Sequence, residues 1–137
     1  MPKFGKPSLK NLSECHKDLQ LIFNRVIENY DCSVIEGNRP KEEQEKAFHS
    51  GKSKVKWPDS KHNSMPSMAT DVCPYPIDWN DTKRFYHFAG YVLGVANILL
   101  EEGEITHRLR WGGDWDSDNV LGDQNFNDLP HFELVGV

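Results

Sequence analysis

The 137 residues contain no long apolar run, and the first twelve, MPKFGKPSLKNL, have none of the hydrophobic stretch a secretory signal needs. This predicts a chain without a membrane span or signal peptide, located in the cytoplasm of the producing cell. Cysteine is scarce. Cys15, Cys32 and Cys73 are odd in number and form no CxxC pair, so they read as reduced thiols rather than a disulfide framework. Basic residues are in deficit, with 16 Lys and Arg against 21 Asp and Glu, a net charge of −5. No basic patch balances the acids, which argues against a nucleic-acid partner. Lysines thicken only at Lys52, Lys54, Lys56 and Lys61, a pattern that reads as a solvated loop. Internal repeats, low-complexity tracts and linkers are missing, so residues 1–137 are expected to form one domain with a single core.

Hydrophobic periodicity supplies the elements. Leu12, Leu19, Ile22, Phe23, Val26, Ile27 and Tyr30 recur at three- and four-residue steps, which predicts a helix over 12–30 with Ser13 as its N-cap. The run CSVIEGNRP reads as a short strand ending at Gly37. Pro40 then opens a second helix, with Glu42 and Glu43 in its first turn. Residues 51–68 show little period and read as a long loop. A strand is expected over 69–73, ended by Pro74 and Pro76. A third helix is expected over 81–101, carrying Phe85, Phe88, Ala89, Val92, Leu93, Ala96 and Leu100, with Gly103 as its C-cap. RLRW before a Gly-Gly turn and HFELV near the end read as strands. The class is therefore α+β.

Three side chains stand out: His62 and Asp71 in SKHNSMPSMATD, and His131 in DLPHFEL. Two imidazoles and a carboxylate suit a zinc ion and leave its fourth position to water. A spare acid, Asp128, stands three residues before His131, and hydrolysis needs such a group beside the water. The spacing is not HExxH on one helix, so it is weak on its own. The other histidines, His16, His49, His87 and His107, lack a comparable acid-rich frame, and His16 and His87 read as surface or core-edge groups on helices.

Four motifs in order add to this: GNRP(x3)Q, SKH(x8)D, RWGGDWD and D-x-x-H-F-E-L, running from Gly37 to Leu134. Together they resemble the M15 family of zinc peptidases, and more narrowly its phage endolysins. Many members carry H-x6-D with an internal glycine, whereas this chain has H-x8-D with Met65-Pro66-Ser67 inside. The resemblance implies a hedgehog-like fold of about three helices on a small, mainly antiparallel sheet. It implies a Zn2+ cofactor held by His62, Asp71 and His131, with Asp128 as general base and Arg39 in contact with substrate. Ser60 is expected either to bind substrate or to terminate a loop, and Gln44 either to bind substrate or to brace the Arg39 loop. Glu133, two residues along a strand from His131, is expected to orient a ligand histidine or to be an edge-strand surface acid. Asp114 is a candidate for holding a ligand imidazole, Trp111 and Trp115 for the core, and Asp114, Asp116 and Asp118 for a calcium loop.

The activity the resemblance implies is hydrolysis of an amide in the peptidoglycan stem peptide, by an endolysin cleaving L-Ala-D-Glu. The alternatives are a D-alanyl-D-alanine carboxypeptidase of the same family, a non-catalytic zinc-containing wall-binding module, and a glycosidase working through paired carboxylates. The expected partner is peptidoglycan, reached with the help of a separate membrane-permeabilising protein. Neither nucleic acid nor a stable membrane association is expected, and the chain is expected to be a monomer.

Overall fold

The computed structural model describes residues 1–120 and 127–136. Four helices and four strands follow in the order α1 (Lys6–Ser13), α2 (Lys17–Ile27), β1 (Cys32–Glu36), α3 (Lys41–His49), β2 (Ala69–Pro74), α4 (Thr82–Glu101), β3 (Arg108–Trp111) and β4 (His131–Val135). The strands form one antiparallel sheet in the order β1-β2-β4-β3. The α+β class is as the sequence predicts, with one helix more than expected.

The extra helix comes from a break in the predicted 12–30 segment. Ser13 is the last residue of α1, not an N-cap, and its hydroxyl donates back to the Lys10 carbonyl. The cap of α2 is His16, whose Nδ1 accepts from the Asp18 N–H at 3.0 Å. Periodicity concealed the break because Leu12 on α1 and Leu19 on α2 both enter the same core. On α4, Leu99 is buried while Leu93 and Leu100 are half-buried. Gly103 follows the C-cap residue Glu102 with φ +76°, a left-handed turn that suits glycine. The 51–68 segment is not wholly irregular, because Lys61–Asn63 makes one 3-10 turn capped by Ser60.

α1 packs on β1, α2 on α4, and α4 crosses β2 and β3. The core between them holds Leu19, Ile22, Phe23, Val26, Phe88, Val92, Phe132 and Leu134. Phe132 meets Phe23 and Phe88 edge to face, with ring centroids 5.5 and 6.2 Å apart. All three cysteines are free and buried, and burial pushes their thiols up, Cys15 to about 11 and Cys32 and Cys73 to about 12.

Two central strands place the functional groups. β2 is buried along its whole length, and its Asp71 lies directly opposite His131 of β4. Residues 60 positions apart in sequence thus become cross-strand neighbours.

Candidate active site

His62 reaches the sheet from the 3-10 turn, held by two local devices. Ser60 accepts from the His62 N–H at 3.2 Å, and Asn63 closes a capping box with the Ser60 backbone. The His62 Nδ1 faces the Gly37 carbonyl at 2.9 Å. Gly37 has to be glycine, since a Cβ there would lie 2.2 Å from the Asn11 carbonyl oxygen. With Nδ1–H donated to Gly37, the His62 Nε2 lone pair points inward.

His131 is arranged in the reverse sense. Its Nε2 lies 2.7 Å from Glu133 Oε1, so Nδ1 faces inward. Glu133 is buried, and Arg110 Nε donates to its other oxygen at 3.1 Å. Of the two readings offered for Glu133, the geometry fits the orienting one, and β4 is an interior strand rather than an edge.

The inward atoms make a small triangle. His62 Nε2 lies 3.2 Å from Asp71 Oδ1 and 3.2 Å from His131 Nδ1, and His131 Nδ1 lies 3.4 Å from Asp71 Oδ1. Four ligands at about 2.0–2.1 Å around a tetrahedral ion stand about 3.3–3.4 Å apart, so the three edges suit one such ion. All three side chains are at least nine-tenths buried. A desolvated group of this kind is normally ion-paired or metal-bound.

The electrostatics also favour a cation. Burial works to raise the Asp71 carboxyl, but His62 and His131 hold it well below the usual carboxylate range. Burial disfavours the charged His131 imidazole, yet Asp71 and Glu133 hold it up at about 9. Glu133 is lowered to about 2, because His131 and Arg110 outweigh its burial. Asp128 moves the other way. Burial, reinforced by the negative charge of Asp71, raises it to about 6. Its Oδ2 lies 3.9 Å from His131 Nδ1, beside the triangle and outside it.

Asp128 is set by a backbone lock. Its N–H donates to the Gly112 carbonyl at 2.9 Å, and the Gly112 N–H donates to the His131 carbonyl at 2.8 Å. A Cβ on Gly112 would lie 2.0 Å from the Asp128 carbonyl oxygen, so the first glycine of RWGG is what lets Asp128 approach β4.

Arg39 is buried and donates to Glu36 and, at 3.0 Å, to Gln44 Oε1, while its Nη2 lies 3.8 Å from Asp71 Oδ2. Gln44 is fully buried, and its amide donates to Ser53 Oγ and the Val55 carbonyl. It therefore braces Arg39 from beneath, with no surface free for substrate. Ser60 lines the cleft and caps the His62 turn at once. Asp114 is not where the sequence reading put it. Its carboxylate accepts from Asp118 and Asn119 N–H groups and folds its own loop, and the imidazoles of His62 and His131 are held by Gly37 and Glu133 instead. Asp114, Asp116 and Asp118 do bring carboxylate oxygens within 4.8 Å of one another. Trp111 is core, as expected, but Trp115 lines the cleft, its ring 5.3 Å from that of His131.

Sequence reasoning passed over Arg110 and Lys61. Arg110 pairs with Glu133 across β3 and β4, a contact that alternation reveals only once the strands are in register. Lys61 is no solvated loop residue, since it bonds the Leu134 carbonyl and stands 3.6 Å from Glu133.

Comparison with known proteins places the chain in a family. Residues 1–135 match the family of phage L-alanyl-D-glutamate peptidases. The L-alanyl-D-glutamate peptidase of Escherichia phage T5 is 32% identical over 142 residues, covering 97% of this chain and 98% of that protein. The crystal structure of Serratia marcescens L-Ala D-Glu endopeptidase ChiX shares the fold, with a TM-score of 0.68 at 23% identity over 97% of this chain and 90% of that one. With its motifs, its fold and its full-length relative in accord, the chain belongs to the phage L-alanyl-D-glutamate peptidase family.

Proposed function

We propose that this protein is a zinc-dependent endopeptidase that hydrolyses the L-Ala-D-Glu bond of the peptidoglycan stem peptide. The observation that carries the reading is the triangle of His62 Nε2, Asp71 Oδ1 and His131 Nδ1 with Asp128 beside it. Two neutral imidazoles and one carboxylate form a borderline donor set that suits zinc, and three protein ligands leave a position for water. A zinc ion held there supplies Lewis acidity, which acidifies water and polarises the scissile carbonyl.

The chain's own residues perform the rest. Asp128, raised by burial and by Asp71, is still mostly ionised at neutral pH and accepts a proton from the attacking water. It returns that proton to the leaving nitrogen. Arg39, fixed by Glu36 and Gln44, presents its guanidinium edge at the cleft to a substrate carbonyl or carboxylate. Glu133 holds His131 in the tautomer whose Nδ1 faces Asp71 and His62, where it would be free to hold a zinc ion. Among the described residues no helix is long and apolar enough to cross a membrane. In this reading a separate membrane-permeabilising protein gives access to the wall.

Asp128→Ala separates catalysis from binding. The expected outcome is a loss of turnover of about a hundredfold or more with zinc content unchanged. Mass spectrometry of purified wall digests, with and without chelator, should show new D-glutamyl amino groups and no new reducing sugar ends. Full activity in the variant, or release of D-alanine or reducing sugars in place of D-glutamyl ends, would refute the assignment.

A further inference from the structure

The cleft has two unlike halves that meet at the catalytic groups. One cavity, of about 340 Å³, is lined by five cations, Arg39, Lys52, Lys54, Lys61 and Arg110, against three acids, Asp59, Asp128 and Glu133. That excess of positive charge sits in a chain whose net charge is −5. The other cavity, of about 630 Å³, has an apolar wall that includes Ile35, Trp79, Leu129 and Pro130. Trp79 is 58% exposed and lies flat on Phe85, with ring centroids 5.6 Å apart. Arg39, Lys52 and Asp128 line both cavities.

Most of the cations are already engaged. Arg39 serves Glu36, Gln44 and Asp71, while Arg110 serves Glu133. Lys61 serves Glu133 and the Leu134 carbonyl, and Lys54 has a partner of its own. Lys52 differs. It is exposed at the junction of the two cavities and has no hydrogen bond or ion pair among the described residues.

The substrate proposed above is divided in the same way. On the alanyl side of the scissile amide are a methyl group and the uncharged link to the sugar. On the other side is a glutamyl residue with two carboxyl groups. The stem peptide continues through one of them, leaving the other as a free carboxylate close to the scissile nitrogen.

Resting on the endopeptidase reading, we infer that Lys52 anchors the free carboxylate of the D-glutamyl residue, so that the stem peptide lies with its acidic half in the cationic cavity and its alanyl half against the Trp79 wall. A lysine on a flexible stem is a mobile point charge suited to a carboxylate at a wet rim. Charge complementarity then sets the direction of the peptide across Asp128.

The test uses the zinc-loaded enzyme and two synthetic muropeptides, identical except that the free glutamyl carboxyl is a carboxylate in one and a carboxamide in the other. Wild type is expected to favour the carboxylate by about tenfold in kcat/KM, mostly through KM. Lys52→Met should erase that preference by losing activity on the carboxylate peptide alone, and Lys52→Arg should keep it. Trp79→Ala should slow both peptides alike and leave the preference intact. The inference is overturned if wild type shows no preference, if Lys52→Met keeps it, or if Trp79→Ala removes it. A wild-type enzyme that cuts neither peptide refutes the endopeptidase reading itself.

Discussion

Two groups of identical composition, each with two imidazoles and one aspartate, stand in this molecule: His62, Asp71 and His131 in the cleft, and His16, Asp18 and His107 where the start of α2 meets the approach to β3. Their hydrogen bonding separates them. In the cleft, the outer ring nitrogens are tied to Gly37 and Glu133, so the inner lone pairs converge. In the second group the Nδ1 atom of each ring is engaged in structure. His16 Nδ1 caps α2 through the Asp18 N–H, and His107 Nδ1 lies 2.8 Å from Asp18 Oδ2, which also accepts from the Thr106 N–H at 3.0 Å. His16 Nδ1 stands 4.0 Å from Asp18 Oδ1. The two groups therefore differ in which ring nitrogens are tied outward, a distinction that residue type alone does not make.

Substitution in each group breaks the comparison most sharply. Asp71→Asn or His131→Ala should abolish both bound metal and peptide hydrolysis, because two remaining ligands cannot hold an ion against water. His107→Ala should leave metal content and turnover near wild type while lowering the melting temperature. Metal analysis of the purified variants together with amide hydrolysis reads both sides. A wild-type metal content in Asp71→Asn would mean that the triangle is not the binding site.

A finer test concerns Glu133, the carboxylate that ties the outer nitrogen of His131 in the cleft. Glu133→Gln keeps an oxygen facing His131 but removes the carboxylate charge, which His131 and Arg110 hold ionised down to about 2. The expected effect is a drop in metal affinity of about 10–100-fold with the ligands in place. Competition with a fluorescent chelator measures it. Unchanged affinity would reduce Glu133 to a packing role.

The sequence carried much of the fold because its elements are strongly patterned. The stripe on α4 and the buried run of β2 were plain, and His62, Asp71 and His131, which the fold brings together, were legible through the order of four motifs. Spacing could not show that Asp71 and His131 are cross-strand partners, since register is a property of the folded sheet. The turn at Glu14 and Cys15 was invisible for a related reason. Cys15 bridges to Ser67, a tertiary contact that ends α1 without disturbing its apolar period. Gln44 illustrates a third limit: a polar residue near Arg39 looks functional until its full burial shows the amide satisfied from within. Lys52 is exposed in a loop, as the sequence suggests, and the fold adds that it lines the same two cavities as Asp128.

The smallest expected effect tests the structural half of the comparison. Burial tends to raise the Asp18 carboxyl, yet the hydrogen bonds from His107 and the Thr106 N–H prevail and hold it below its ordinary value. A carboxyl lowered in the folded state stabilises the fold above its unfolded pKa of about 3.9, and that contribution is lost as pH falls through the folded value. Asp18→Ala removes it and leaves the Thr106 N–H without its partner, a cost of about 1–3 kcal/mol near neutral pH. Below about pH 4 the wild type should lose stability faster than the variant, and the two denaturation midpoints should converge. Urea titrations at pH 6 and pH 3 measure the gap. A gap of the same size at both pH values would mean that Asp18 acts through packing alone, and that the second group owes nothing to its charge.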